Sequence, residues 1–591
     1  MQSNSNSKSL KVSTNKRFKH DLSHQHLTTL DFFRLQPISI MECVAGDNVK
    51  LNIRSLVEAS PLATKVYGSC HLDLHAFFVP FRILWSQWNS YYYGDGGSST
   101  PQVPYVPFGA SGFMNQVFGS QVTEGTASDL LTYKERRSIF GSLGYPVQFY
   151  NPSTNNENLN MSAMPARCYQ QVWWDWFRDS ANIPESSKLN YLDTSGGQVS
   201  AGSGWTRLFA PRYRTFRKDY ITTILNPTQS AIDGADAQVS SQLGSYTNAN
   251  GEYVYPLYFS ETTNGQVAST ENETPLNTYH PIVNSLQVPI LRGAIAMQRF
   301  LERLGVSGSR PIERILSTFG IKPSPERLDM SEFIGSKSIP LNIDGLVNTG
   351  SSSKLDGESV SNAFGDFNSS EIGTMTGRAS AGGQTDTWSY NVTEHGYIIV
   401  IASIIPDYLN RNSVDRLFTR GLDPFGDGNI DFFQPDFDGS GYKPVLLKHI
   451  AWPTQQNTGN WIDPAQFKPN QVVGYQPYAE DYRVALDRIS GDFNERGSSE
   501  YLSNMAFIRD LTDMAPQSVV AGLNLTTPTQ ADKARFDNHF QVTNQTLDHF
   551  ILNNYIKIDA LRPISSSQMP TELSDMANKD LTEISKLGIR L

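Results

Sequence analysis

"HLDLHAFFVPFRILWSQWNSYYYG", residues 71–94, sets His71, Asp73 and His75 at alternate positions and then runs into a dense aromatic segment. Side chains on a strand alternate between faces, so these three polar residues share one face while Cys70, Leu72, Leu74, Ala76 and Phe78 share the other. Two imidazoles and a carboxylate are the ligand set of a facial-triad iron site. At the usual rise per residue, however, three same-face positions on one strand spread over roughly 13 Å, too far for one ion. The stretch therefore predicts a strand with one core face and one polar face, and no metal ligands.

The β pattern extends outward from there. "NVKLNIRSLV" (48–57) alternates in the same way, and apolar or alternating runs recur far downstream at "YIIVIASII" (397–405), "PVLLKHIAW" (444–452) and "RVALDRISG" (483–491),. Sheet residues are thus divided between the two ends of the chain. The longest apolar run, 397–406, is about half the length needed to cross a bilayer and predicts a buried strand. Helical spacing appears between the β regions. "MPARCYQQVWWDWFRD" (164–179) carries a Tyr169, Val172, Trp173, Trp176 stripe behind Pro165, while "ILRGAIAMQRFLERLG" (290–305) and "PIERILSTFG" (311–320) each end at a glycine,. Residues 230–285 and 350–389 are polar and loop-like, and the first of these has no Lys or Arg,.

At 591 residues, with 39% hydrophobic and 11% aromatic content, the chain can bury a large core,. Length alone suggests about three or four domains, a soft count for an all-β chain with long insertions. The net charge of -10 disfavours wrapping of nucleic acid by the whole surface,. Three widely spaced cysteines, Cys43, Cys70 and Cys168, give neither a disulfide framework nor a thiolate cluster, and suit a reducing compartment,. The N-terminal twenty residues have no apolar segment of signal-peptide length,. They hold Lys8, Lys11, Lys16, Arg17 and Lys19 with no acid before Asp21, the composition of a flexible basic arm,.

No nucleophile elbow, phosphate loop or zinc-protease motif is present. "DPFGDGNID" (423–431) and "DFDGSGY" (436–442) resemble pieces of calcium loops without completing the ligand spacing, and Asp/Gly turns account for them equally,. No catalytic residue, cofactor or metal is expected. More informative is "WTRLFAPRYRTFRKDY" (205–220), which interleaves Arg207, Arg212, Arg214, Arg217 and Lys218 with Trp205, Phe209, Tyr213, Phe216 and Tyr220. Cations that track phosphates and rings that stack on unpaired bases suit single-stranded nucleic acid. The plain alternative is an arginine-rich surface with half-buried aromatics.

Eight stretches taken together resemble the major capsid proteins of microviruses, in particular the gokushovirus-like branch. They are "HDLSHQHLTTLDFFRLQPI", "HAFFVPFRILWSQW", "MPARCYQQVWWDWFRD", "RKDYITTIL", "LRGAIAMQRFLERLGVSGSRPIERILSTFGI", "EHGYIIVIASIIP", "VVGYQPYAEDYR" and "DHFILNNYIKIDALRPI", in the family's order from about residue 20 to 564. Ala166, Cys168 and Ser336 depart from the usual pattern and place the chain in a divergent lineage.

The resemblance implies a mainly β fold: an eight-stranded antiparallel jelly roll (a viral capsid β-barrel) over 21–591, with long, partly helical insertions behind the 1–20 arm. It implies sixty copies in a T=1 icosahedral shell around a single-stranded DNA genome, located in the virion and, during assembly, in the host cytoplasm. Implied partners are a DNA-pilot (minor spike) protein, an internal scaffolding protein and a host cell-surface receptor, with no membrane insertion. The 230–285 segment falls where the family inserts a threefold protrusion loop, with Tyr253, Tyr255, Tyr258 and Phe259 as its trimer contact, and 350–389 is expected to be a polar surface loop. The arm and the Arg207–Lys218 patch are the expected DNA-facing residues. Two other readings stay open: a jelly-roll carbohydrate-binding protein, which nine tryptophans and Asp/Gly loops would suit, and a single-stranded nucleic-acid-binding protein that forms no shell.

Overall fold

The computed structural model describes residues 17–62, 66–93, 101–107, 139–145, 160–180, 183, 185–188, 192–200, 203–224, 246–247, 253–254, 328–347, 375–411, 413–415, 418, 442–450, 472–477, 480–494, 505–510, 526–528, 530–540 and 548–562. Five strands come first: β1 (Phe18–Asp21), β2 (His24–Leu30), β3 (Gln36–Cys43), β4 (Asn48–Ala59) and β5 (Ser69–Pro80). Then come the short strands β6 (Tyr105–Pro107), β7 (Asn160–Ser162), β8 (Tyr246–Thr247) and β9 (Tyr253–Val254). The middle of the chain supplies β10 (Glu332–Val347), β11 (Met375–Gln384), β12 (Trp388–Asn391), β13 (Gly396–Pro406) and β14 (Leu409–Arg411). β15 (Tyr442–Leu446), β16 (Val472–Pro477), β17 (Ile508–Asp510) and β18 (Phe550–Arg562) complete the set.

Ten of these strands form one antiparallel sheet. Its hydrogen-bonded path runs β1-β18-β4-β11-β10-β5-β13-β3, with β12 also on β4 and β2 also on β18. Neighbours in the sheet are far apart in sequence, β18 lying on β4 and β13 on β5, as the division of β signals between the chain ends predicts. The sheet curls so that its inward positions meet in one apolar core: Ile53 and Val57 of β4, Leu72 and Leu74 of β5, Ile398 and Val400 of β13, and Leu552 and Ile556 of β18. Each such side chain contributes about 1.5–3 kcal/mol on burial. This is a mainly β, antiparallel jelly-roll fold, as the resemblance implies, with eight strands on the continuous path,.

β5 and β13 pair without a break from Pro80↔Gly396 to Cys70↔Pro406. Both are buried on two sides, which is why 397–405 is continuously apolar,. Their second faces, Phe77 and Val79 with Ile399 and Ile401, pack a separate core layer. The helix Met164–Val172, continued by a π turn at Trp173–Phe177, supplies that layer with Tyr169, Val172 and Trp173 from the 164–179 stripe. Among the aromatics that follow β5, Phe81 and Trp85 are buried there, while Tyr91 and Tyr92 are about half exposed.

Three expectations change. Residues 375–384, in the second half of the expected 350–389 loop, and 388–391, which begin at its end, are β11 and β12, paired to β4 and β10. Backbone pairing to existing strands compensates there for Ser, Thr and Gly side chains that carry little β signal. "RVALDRISG" is no strand: residues 484–490 have no sheet partner and are largely exposed, so its alternation meets no second strand to bury against. "PVLLKHIAW" is strand only through Leu446, and Leu447–Ile450 is a helical turn. The helices expected at 290–305 and 311–320 and the two Asp/Gly stretches 423–431 and 436–441 lie outside the described residues.

Candidate nucleic-acid interface

The expected basic segment 205–220 begins in a short helix, Ser203–Leu208, and then runs extended past the polar face of β5. Its backbone is held by 33–35: the N–H of Leu35 donates to the Arg212 carbonyl at 2.9 Å and the N–H of Arg214 to the Phe33 carbonyl at 2.8 Å. Trp205, Phe209, Phe216 and Tyr220 are buried. Stacking of bases on those four rings is therefore excluded in this conformation. Ring area of that size stabilises more in a core than on a surface, so the aromatic half of the interleaved pattern is core packing.

The cations divide by environment. Arg212 donates Nε to Gln170 at 2.6 Å and lies 4.0 Å over the Trp173 ring. Arg214 donates Nη1 to Asp73 at 2.6 Å and to Ser403 Oγ at 3.3 Å, and burial pulls its guanidinium below the ordinary value. Arg217 donates to Asp407 at 3.1 Å and stands 3.9 Å from Asp73. His71 also meets Asp407, at 2.8 Å. The polar face of β5 is therefore covered, with Asp73 only 6% exposed, and the Arg segment is its cover. His75, packed against Phe77 and Phe177, has its pKa pushed down to about 4 by burial, with Arg214 adding to the shift. Arg207 and Lys218 are the two exposed cations of the segment.

Of the arm, Arg17 is exposed and Lys19 on β1 stands 3.1 Å from Asp559 with most of its side chain in solvent. Lys8, Lys11 and Lys16 lie outside the described residues, as do Tyr255, Tyr258 and Phe259, while Tyr253 begins the two-residue strand β9. The arm's root and the 205–220 segment sit on different parts of the barrel: β1 borders β18, whereas Arg214 and Arg217 cover β5.

A polar cluster that the sequence did not single out joins the two chain ends. Arg34 makes a two-pronged pair with Asp548, at 3.0 and 2.8 Å, inside the protein. Beside it, Asp31, Asp537 and His549 place one ligand-type atom each within 4.8 Å of one another. Lys533 stands 3.5 Å from Asp31 and supplies the positive charge, so the group is a buried ion-pair network,. Asp31 and Arg34 lie more than five hundred residues from Asp548 and His549 in sequence, and no local spacing announces the pairing.

A capsid-protein family model, described as "Capsid protein (F protein)", matches residues 9–571. "Capsid protein VP1" of Chlamydia phage 1 is 23% identical over 555 residues, covering 82% of this chain and 86% of that protein. "Capsid protein VP1" of Bdellovibrio phage phiMH2K is 24% identical over 508 residues, covering 81% and 82%. "Capsid protein F" of Escherichia phage G4 is 30% identical over 218 residues, 35% of this chain and 48% of its own. The family match takes in every strand of the curled sheet, from β1 beside the arm to β18 on β4, and the chain belongs to the capsid protein (F protein) family.

Proposed function

We propose that this capsid protein is the major shell protein of a small tailless phage, closing sixty copies into a T=1 icosahedron around single-stranded DNA. The observation that carries the reading is the family match over 9–571 together with one antiparallel jelly roll assembled from both ends of the chain. The role is structural and non-catalytic. Half-exposed Tyr91, Tyr92 and Phe333 supply the kind of aromatic surface that large permanent interfaces use,.

The arm residues Lys8, Lys11, Lys16, Arg17 and Lys19 neutralise DNA phosphates, joined by Arg207 and Lys218, whose side chains are exposed,. Arg212, Arg214 and Arg217 hold the segment to β5 and to the 164–177 helix. Residues 230–285 form the threefold protrusion, meeting at Tyr253, Tyr255, Tyr258 and Phe259 and facing a host receptor. A pilot protein and an internal scaffolding protein complete the assembly. Sedimentation tests the shell: sixty chains of 65.8 kDa give a particle of about 4 MDa,. A carbohydrate-binding module or a shell-free nucleic-acid-binding protein would stay near the mass of one chain or a small oligomer. A 230–285 deletion that assembles yet adsorbs normally to host cells would remove the receptor role from that loop.

A further inference from the structure

The buried cluster that joins the two chain ends contains one group whose charge changes near neutral pH. Arg34 is bound to Asp548, and Lys533, on the helix Gln530–Asp537, stands beside Asp31. His549 sits between two further contacts: its Nδ1 lies 3.3 Å from Asp31 Oδ1 and 3.4 Å from Asp537 Oδ1. Only 3% of the His549 side chain meets solvent, and the Phe540 ring stacks on it at 4.2 Å.

Two carboxylates this close in a buried site repel unless positive charge lies between them, and the His549 ring nitrogen occupies that place,. With His549 charged, Asp31, Asp537 and Asp548 against Arg34, Lys533 and His549 carry three charges of each sign. Guanidinium and ammonium groups ordinarily keep their charge through neutral pH, whereas an imidazole does not. Asp31 feels the same field: burial works to raise its pKa, but the hydrogen bond from His549 and the charges of Lys533, His549 and Arg34 hold it below the ordinary value. The other titratable groups of the helical segment turn elsewhere. Asp532 acts on Arg509, and His539 meets the Phe536 and Ala506 carbonyls at 3.0 Å.

We infer that His549, Asp31 and Asp537 form a proton-dependent clasp between the ends of the chain: a proton on His549 holds the Gln530–Asp537 helix against residues 31–34, and its loss loosens the helix. What the clasp keeps covered is apolar, since Phe536 and Phe540 pack on Phe32 at 5.8 and 5.9 Å. An unfolded histidine gives up its proton near pH 6.5. A folded clasp that holds it longer contributes stability that is complete below pH 6.5 and lost as pH rises through the clasp's own titration. Release is therefore an alkaline event, opposite in sense to that of a histidine kept neutral by burial.

Amide hydrogen exchange of the full-length chain, followed by mass spectrometry from about pH 6 to pH 9 and corrected for the intrinsic rise of exchange with pH, tests the clasp. Protection of the peptide over 530–540 is expected to fall about ten-fold relative to the β13 peptide 397–405, the scale of one pKa unit. Asp537→Asn removes one of the two carboxylates, so its 530–540 peptide should keep the same relative protection at every pH. His549→Gln should be as loose at pH 6 as the parent is at pH 9, and adding Asp537→Asn should restore protection. That rescue separates a lost charge from a lost packing contact, which Asp537→Asn would not repair. Constant relative protection in the parent from pH 6 to pH 9 overturns the clasp. So does an Asp537→Asn chain that loosens in alkali like the parent, or a double variant as loose as His549→Gln alone. The parent and Asp537→Asn decide the question by themselves should His549→Gln fail to fold.

Discussion

Arg214 donates Nη1 to Asp73 Oδ2 across 2.6 Å, joining side chains 141 residues apart. Through that contact the segment that looked most like a nucleic-acid patch becomes the cover of β5. Asp73 is buried, so removing its partner leaves a carboxylate with only the longer Arg217 contact at 3.9 Å.

Arg214→Leu is accordingly expected to lower stability by about 3 kcal/mol, the scale of breaking a buried pair. Urea denaturation of the unassembled chain measures it. Arg207→Ala and Lys218→Ala, which change exposed cations, are expected to stay within about 0.5 kcal/mol of the parent. Equal losses for all three would contradict the internal role of Arg214.

Acid should weaken the fold before carboxylates titrate. Burial lowers the pKa values of His26, His75 and His539, with His75 moved from 6.5 to about 4. The unfolded chain then binds more protons than the folded one in this window, so stability is complete above pH 6.5 and falls as pH drops towards 4,. His75→Phe, beside Phe77 and Phe177, should flatten the curve between pH 6.5 and 4. A melting temperature that rises on acidification through that range would contradict the sign.

Gly396 begins β13 directly against β5. A β-carbon there would collide with the Val79 carbonyl oxygen and the Phe78 ring, and the carbonyl belongs to strand backbone that cannot swing aside. Gly396→Ala is expected to cost about 2–3 kcal/mol or to abolish soluble expression, by the mechanism of overpacking. Circular dichroism melts are the check, with an unchanged midpoint as the opposing result.

Phe32 is the hub of the ring cluster that ties the first strands to the last. Its ring meets Phe33, Phe507, Phe536, Phe540 and Phe550 at centroid distances of 4.9–6.5 Å. Phe32→Ala should cost about 3–5 kcal/mol in urea denaturation. A loss below about 1 kcal/mol would show that the two chain ends do not depend on this contact.

Much of the sheet was legible because β4, β5 and β13 announce themselves by period-two alternation or an unbroken apolar run,. β11 was not, since "MTGRASAGGQ" has almost no β propensity and is a strand only because β4 and β10 supply partners,. The Arg-aromatic segment was visible as a pattern but not as an environment. Spacing cannot say that Trp205 and Phe216 turn inward or that Asp73 waits for Arg214.

The central claim is that this chain builds a closed shell. Negative-stain electron microscopy of the protein, expressed alone and together with its neighbouring phage genes, tests it most directly. Uniform closed particles roughly 25–30 nm across are predicted, the size for sixty domains of this mass. Monomers or irregular aggregates under every condition would contradict it.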